Sequence, residues 1–408
     1  MRKLTAAKTR NLHEREVMFP FFIQSECAAL RPLKDGHISS CSACTSGGRT
    51  YSNYTVLLPT EPIGSIPRPH QLIEAAKTSN SEDPKLNALF DEAIRDTIER
   101  FEATGSPVIT DGEQRKYQNF ATYSVHGLPN MAPDGFRIPF ANGHERRLPR
   151  LTAGPFRYKL YADQYLDIAH RYAHVPVKQA IISPSALSLL YPAEGIAGYN
   201  REDFITDLLA EHETEIRRCL AKGAHKVQID FTEGRLAIKL DPSGALLSSF
   251  VRLNNLALSR FSPEERERIG IHTCPGSDCD STHSADIDYS ELLPSLFELQ
   301  VGNFYIALAG EKDRVRVQKI IRDNLQPGQT VFLGVVDPIN PRIETAEEIR
   351  DSILEAAKYI PVDQLGTTDD CGFSPFCDDT STTRDTAFAK IQARVEGTRL
   401  ASQTIGGG

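Results

Sequence analysis

Two cysteines, a histidine and several carboxylates carry the chemistry that this sequence can do. In Ile269-Gly270-Ile271-His272-Thr273-Cys274-Pro275-Gly276 a short apolar run breaks at a Pro-Gly pair. Side chains alternate faces along a strand, so His272 and Cys274 share one side at the strand's end. An imidazole and a thiolate there make half of a zinc site, since catalytic zinc takes three protein ligands and keeps a fourth position open. Taken alone, the pair also suits a cysteine packed as a small hydrophobe and a histidine satisfied by hydrogen bonding. A second run, Asp369-Asp370-Cys371-Gly372-Phe373, again follows a short apolar segment and ends in a glycine turn. A zinc ion shared by Cys274 and Cys371 would deprotonate a bound thiol and supply a sulfur nucleophile at neutral pH. Cys279, Cys377 and His283 lie close enough to these motifs to be alternative ligands and read as loop or packing residues.

The elements that must bring these residues together are parallel β/α units. From Thr55 onward short apolar runs alternate with helical patterns. The candidate strands are 55–59, 107–111, 177–183, 226–231, 269–274, 303–309, 330–336 and 364–368, enough to close a (β/α)8 TIM barrel. Asn200 is placed to cap a helix whose apolar stripe is Phe204, Leu208, Ile216 and Leu220, with Gly223 at its end. Thr345 and Glu348 read as a capping box. The stretch from about 113 to 176, rich in Pro, Arg and Tyr, reads as a long loop or small excursion over the barrel mouth. In such a barrel the reactive groups sit where strands run out. Here the strands end in Glu61-Pro62-Ile63-Gly64-Ser65, Asp111-Gly112-Glu113, Asp230 with Glu233, His272 with Cys274, Asp337, and Asp369-Asp370-Cys371. Each acid alone also reads as a helix cap or a solvated loop end.

Composition bounds the partners. A formal net charge of −8, with no basic run, argues against a nucleic-acid surface. The apolar stretch Val17 to Ile23 is too short to span a bilayer and contains a proline, and Glu14 and Glu16 spoil a targeting peptide. The expectation is a cytoplasmic protein with thiols or metal ligands rather than disulfides, acting on small molecules. Residues 1–54 read as a flexible extension with an isolated Cys41-Ser-Ala-Cys44, and 55–404 as the barrel.

With these residues in view, the region from about 55 to 404 resembles the catalytic barrel of cobalamin-independent methionine synthase, a member of the superfamily that includes uroporphyrinogen decarboxylase. The likeness rests on Ile63-Gly64-Ser65, Gly112-Glu113, Gln228-Ile229-Asp230, His272-x-Cys274 and Asp370-Cys371-Gly372. It implies zinc on His272, Cys274 and Cys371. It also implies a thiol substrate similar to homocysteine, held by Ile63, Gly64, Ser65, Glu113 and Asp230, with Asp230 and Glu113 in the catalytic set.

The departures are specific. Where the family has a glutamate ligand on the sixth strand this chain has Leu308, leaving Glu311 as the candidate replacement. The family's histidine in the seventh loop falls near Ile339. The chain has no Trp, and Leu190 stands where the family's folate-packing tryptophan would be. The reading is a zinc-dependent transferase that moves a methyl or other alkyl group from a donor to a thiol. The alternatives are a lyase or epoxide–thiol addition enzyme working a C–S bond through the same metal, a metal-independent decarboxylase, and a non-catalytic barrel.

Overall fold

The computed structural model describes residues 58–79, 83–116 and 119–407. The extension 1–54, with its Cys41 and Cys44, and the start of the expected strand 55–59 lie outside the described residues.

Six short strands form one parallel sheet: β1 (Gln179–Ile182), β2 (Val227–Asp230), β3 (Ile269–Thr273), β4 (Asn303–Ile306), β5 (Thr330–Val336) and β6 (Leu365–Asp369). They lie side by side in chain order. Nearly every position in them is buried, as expected when helices cover a parallel sheet. At its edges, Thr60 bridges Thr367 and Ile109 bridges Val177, both in parallel. The expected strands at 55–59 and 107–111 are thus single bridges among the described residues. Pro59, Pro62 and Pro107 flank those bridges, and proline offers no N–H to a ladder.

The fourth strand also stops earlier than its apolar run predicts. The carboxylate of Asp370 takes the backbone N–H groups of Leu308, Ala309 and Gly310, each at 2.7 Å, and bends the chain out of the sheet.

The helices follow their sequence signals. Arg201–Ala221 begins where the Asn200 side chain accepts the Asp203 N–H, and it buries Phe204, Leu208 and Ile216. Ala346–Ala356 begins at the Thr345–Glu348 capping box, with both reciprocal bonds present. The stretch 113–176 is more ordered than a loop. It carries two short antiparallel ladders, Met131–Ala132 with Arg150–Leu151 and Arg137–Pro139 with Glu145–Arg147, and then the helix Asp163–Tyr172. Among the described residues no helix is long and apolar enough to cross a membrane.

Each cap satisfies backbone donors that the helix itself cannot. Thr345→Ala should therefore lower unfolding free energy by about 1 kcal/mol with an unchanged denaturant slope, read from a urea melt.

Candidate active site

The ladder register aligns the site. Asp230 on β2 pairs with His272 on β3, which pairs with Tyr305 on β4, which pairs with Phe332 on β5. Residues in register on parallel strands face the same way, so these side chains form one row. Tyr305 and Phe332 stack with ring centroids 4.8 Å apart. Gly270, two residues before His272, leaves room for the Tyr305 ring, since a Cβ there would lie 2.6 Å from it.

At the end of this row stand His272, Cys274 and Cys371, all buried, with potential donor atoms within 4.8 Å of one another. The two sulfurs are 3.0 Å apart. His272 Nδ1 lies 3.3 Å from the Tyr305 carbonyl, so the proton belongs on Nδ1 and the lone pair on Nε2. Nε2 is buried and, among the described residues, makes no well-formed hydrogen bond, its interaction being with the neighbouring Cys274 sulfur. A carbonyl behind the ring and an unsatisfied nitrogen ahead of it is the usual posture of a metal-binding histidine. The three residues therefore fit a metal ion that favours nitrogen and thiolate donors. Burial raises the Cys274 pKa, but the hydrogen bond from Cys371 and the nearby imidazole outweigh it and hold Cys274 well below the usual thiol range. The same hydrogen bond, with burial, pushes Cys371 well up.

Glu311 does not join this group. Its carboxylate accepts from Arg235 Nη1 at 2.7 Å, an ion pair that occupies it elsewhere. Leu308 does not face the thiols either and packs in the main hydrophobic core. The residue packed against Cys274 and Cys371 is Ala307, one position earlier. The turn that Asp370 imposes sets that phase.

His272, Cys274 and Cys371 open into a cavity with about 930 Å³ of empty space, part of it open to solvent. Ile63, Ser65, Glu113 and Asp230 line it with His272, Cys274 and Cys371. Gly64 stands behind this wall: its carbonyl accepts from Thr110 Oγ1 at 2.8 Å, and a Cβ on it would lie 3.0 Å from Glu113 Oε1.

Glu113 is presented by a strained turn. Gly112 has φ 69° and Glu113 itself φ 57°. Such a backbone is costly for a residue with a Cβ and persists only where its surroundings enforce it. The buried Arg68 guanidinium does so, donating to the carbonyls of Glu113 (2.8 Å), Lys116 (2.9 Å) and Gln114 (3.1 Å). The Glu113 carboxylate accepts from buried Lys116 at 3.1 Å. Burial pushes the Asp230 pKa up to about 6, His272 opposing and Glu113 adding to the rise. The Ser65 hydroxyl accepts the Ser374 N–H at 3.2 Å, which leaves its proton for a ligand.

The rest of the wall was hidden from sequence reading. Phe120, Ile138, Phe140, Arg146 and Leu148 come from the 113–176 excursion. Arg146 and His144 anchor it by binding buried Asp278, at 2.6 Å and 2.8 Å, in the loop after Cys274. His283 also lines the cavity rather than merely packing, and burial lowers its pKa to about 4. Leu189, not Leu190, lines the wall just past the short helix Pro184–Ser188 that follows β1, together with Ala186 of that helix. Ile339 is not part of the wall, and Asp369 is held by Arg394 at 2.9 Å. Little signal marked the apolar wall, because isolated aromatics in an irregular stretch have no period to read.

The family model for the catalytic domain of cobalamin-independent synthase matches residues 58–396. The chain belongs to that family and with it is a methyltransferase acting on a thiol sulfur. It is 24% identical over 359 residues to the methionine synthase of Saccharolobus solfataricus, covering 86% of this chain and 96% of that protein. It is likewise 24% identical over 330 residues to that of Pyrococcus furiosus, covering 78% and 86%. A B12-independent methionine synthase from Shewanella sp. W3-18-1, solved with selenomethionine, shares the fold at TM-score 0.65 and 18% identity, over 86% of this chain and 99% of that one. A putative vitamin-B12-independent methionine synthase from Listeria monocytogenes does so at 0.63 and 20%, over 84% and 98%.

Gly372 is tied to this geometry, because a Cβ on it would lie 2.1 Å from Ser65 Oγ. Gly372→Ala should displace the serine hydroxyl and weaken thiol binding about 10-fold, read by calorimetry, while metal content stays unchanged.

Proposed function

We propose that this enzyme binds one zinc ion through His272, Cys274 and Cys371 and uses it to methylate a small amino-acid thiol of the homocysteine type. The observation that carries the reading is the unsatisfied Nε2 of His272, held beside two buried sulfurs. A metal-independent decarboxylase would leave that nitrogen without a well-formed hydrogen bond.

Zinc bound there would lower the pKa of the thiol that joins it, making a nucleophile at neutral pH. Asp230 and Glu113 meet the substrate ammonium; two acidic groups facing one small space favour a cation between them. Ser65 offers its hydroxyl proton to the substrate carboxylate, and Ile63 covers the methylene chain. The apolar wall formed by Phe120, Ile138, Phe140 and Leu148 keeps water from the sulfur and leaves room for a second molecule that carries the methyl or other alkyl group. Ala307 brings no further donor, so three protein ligands leave the fourth position for the substrate.

The same reading closes the six-stranded sheet, with the bridges at Thr60 and Ile109, into a (β/α)8 barrel over about 55–404, preceded by an extension at 1–54. It places the enzyme in the cytoplasm, where the cysteines stay reduced.

Elemental analysis should find about one zinc per chain in the purified wild type and less than half of that in Cys371→Ser, with circular dichroism unchanged. A folded, metal-free wild type that still binds the thiol would overturn the reading.

A further inference from the structure

Beneath the cavity a line of buried polar groups runs away from the substrate. Lys178 Nζ donates to Gln228 Oε1 at 2.8 Å, and Gln228 Nε2 donates to Asp230 Oδ1 at 2.8 Å. All three residues are buried, and Gln228 is completely so. On the far side Lys178 lies 3.6 Å from Glu61 Oε2 and 3.9 Å from the centre of the Tyr305 ring. Glu61 is itself fixed by Lys226 and by the Tyr305 hydroxyl, each at 2.6 Å.

A carboxamide has an acceptor end and a donor end of nearly the same shape, so its neighbours decide which way it points. A carboxylate only accepts and an ammonium only donates. Gln228, placed between Asp230 and Lys178, satisfies both in one orientation alone. Turned over, it would set its carbonyl against a carboxylate and its N–H groups against the lysine, two repulsive contacts where no water can relieve them. Burial lowers the Lys178 pKa to about 7, with Glu61 opposing, but a neutral amine still has N–H groups to give to Oε1.

We propose that Lys178 is a positioning residue for substrate selection: by fixing the orientation of Gln228 it makes Asp230 an acceptor facing the cavity, and so confers preference for thiols that carry an ammonium group. This rests on the reading of Asp230 as the group that meets that ammonium. Lys178 itself never touches the substrate. The bond from Gln228 occupies Oδ1 and stops the carboxylate from turning, which leaves Oδ2 for the ligand. Without Lys178 the amide can reverse, and the Asp230 carboxylate then relieves the repulsion by rotating away, which removes the partner for the ammonium.

The test is calorimetric binding of homocysteine and of its des-amino analogue 4-mercaptobutanoate to the metal-loaded full chain. The wild type should prefer homocysteine by about 10-fold or more. Lys178→Met should weaken homocysteine by about 10-fold while leaving 4-mercaptobutanoate within about 2-fold, with metal content unchanged. Lys178→Arg, which can still donate to Oε1, should recover most of the loss. If Lys178→Met does not fold, Gln228→Leu carries the same expectation. Equal weakening of both thiols would assign Lys178 a purely structural role and overturn the proposal, as would unaltered homocysteine binding. A wild type that binds both thiols equally would instead remove the ammonium reading of Asp230, and the proposal with it.

Discussion

The site depends on the register of one parallel ladder. Because Asp230, His272, Tyr305 and Phe332 are paired across four strands, their side chains emerge on one face at one level. A slip of one residue in β3 would turn His272 and Cys274 toward the helices together. Parallel strands fix that level with evenly spaced backbone bonds, and the buried, apolar strands around them resist any slip. The chemistry is thus an outcome of strand pairing before it is one of side-chain placement.

Largely buried ions pack against the Tyr305 and Phe332 rings of that row. Glu61, Lys178 and Lys226 satisfy one another, and Asp369 is matched by Arg394. Buried pairs of this kind add little net stability, but leaving one partner alone is costly, so each fixes where the other must be. Asp370 does a related task with no counter-ion among the described residues, taking three backbone N–H groups. The acids at the strand ends accordingly include some that hold the chain, Asp369 and Asp370, and some that face the cavity, Glu113, Asp230 and Glu233.

How far the sequence could be read followed from which signals are local. His272-x-Cys274 and the glycine turn after Cys371 are local patterns, and the caps at Asn200 and Thr345 are local hydrogen-bonding arrangements; all of these were legible. The phase of the fourth strand was not, because Asp370 sets it from about sixty residues away by bending the backbone, and this turned Ala307 rather than Leu308 toward the thiols. Glu311 had the right chemistry for a ligand, yet its partner Arg235 lies on a helix whose sequence gives no hint of the pairing. The apolar wall drawn from the 113–176 excursion was equally hidden, since it is held by Arg146 on Asp278 rather than by any periodic pattern.

Arg68 gives the turn at Glu113 a further property. Among the described residues its hydrogen bonds there go to main-chain carbonyls, those of Glu113, Gln114 and Lys116. Thr110, Asp111 and Gln114 brace the same turn through their side chains, and none of this support draws on the Glu113 carboxylate that the turn displays. An evolving lineage can exchange the displayed group at such a place, and so try a new substrate, without first rebuilding its support. The constraint on Arg68 and the freedom at the displayed carboxylate are two sides of one arrangement, in which support and recognition are carried by different groups.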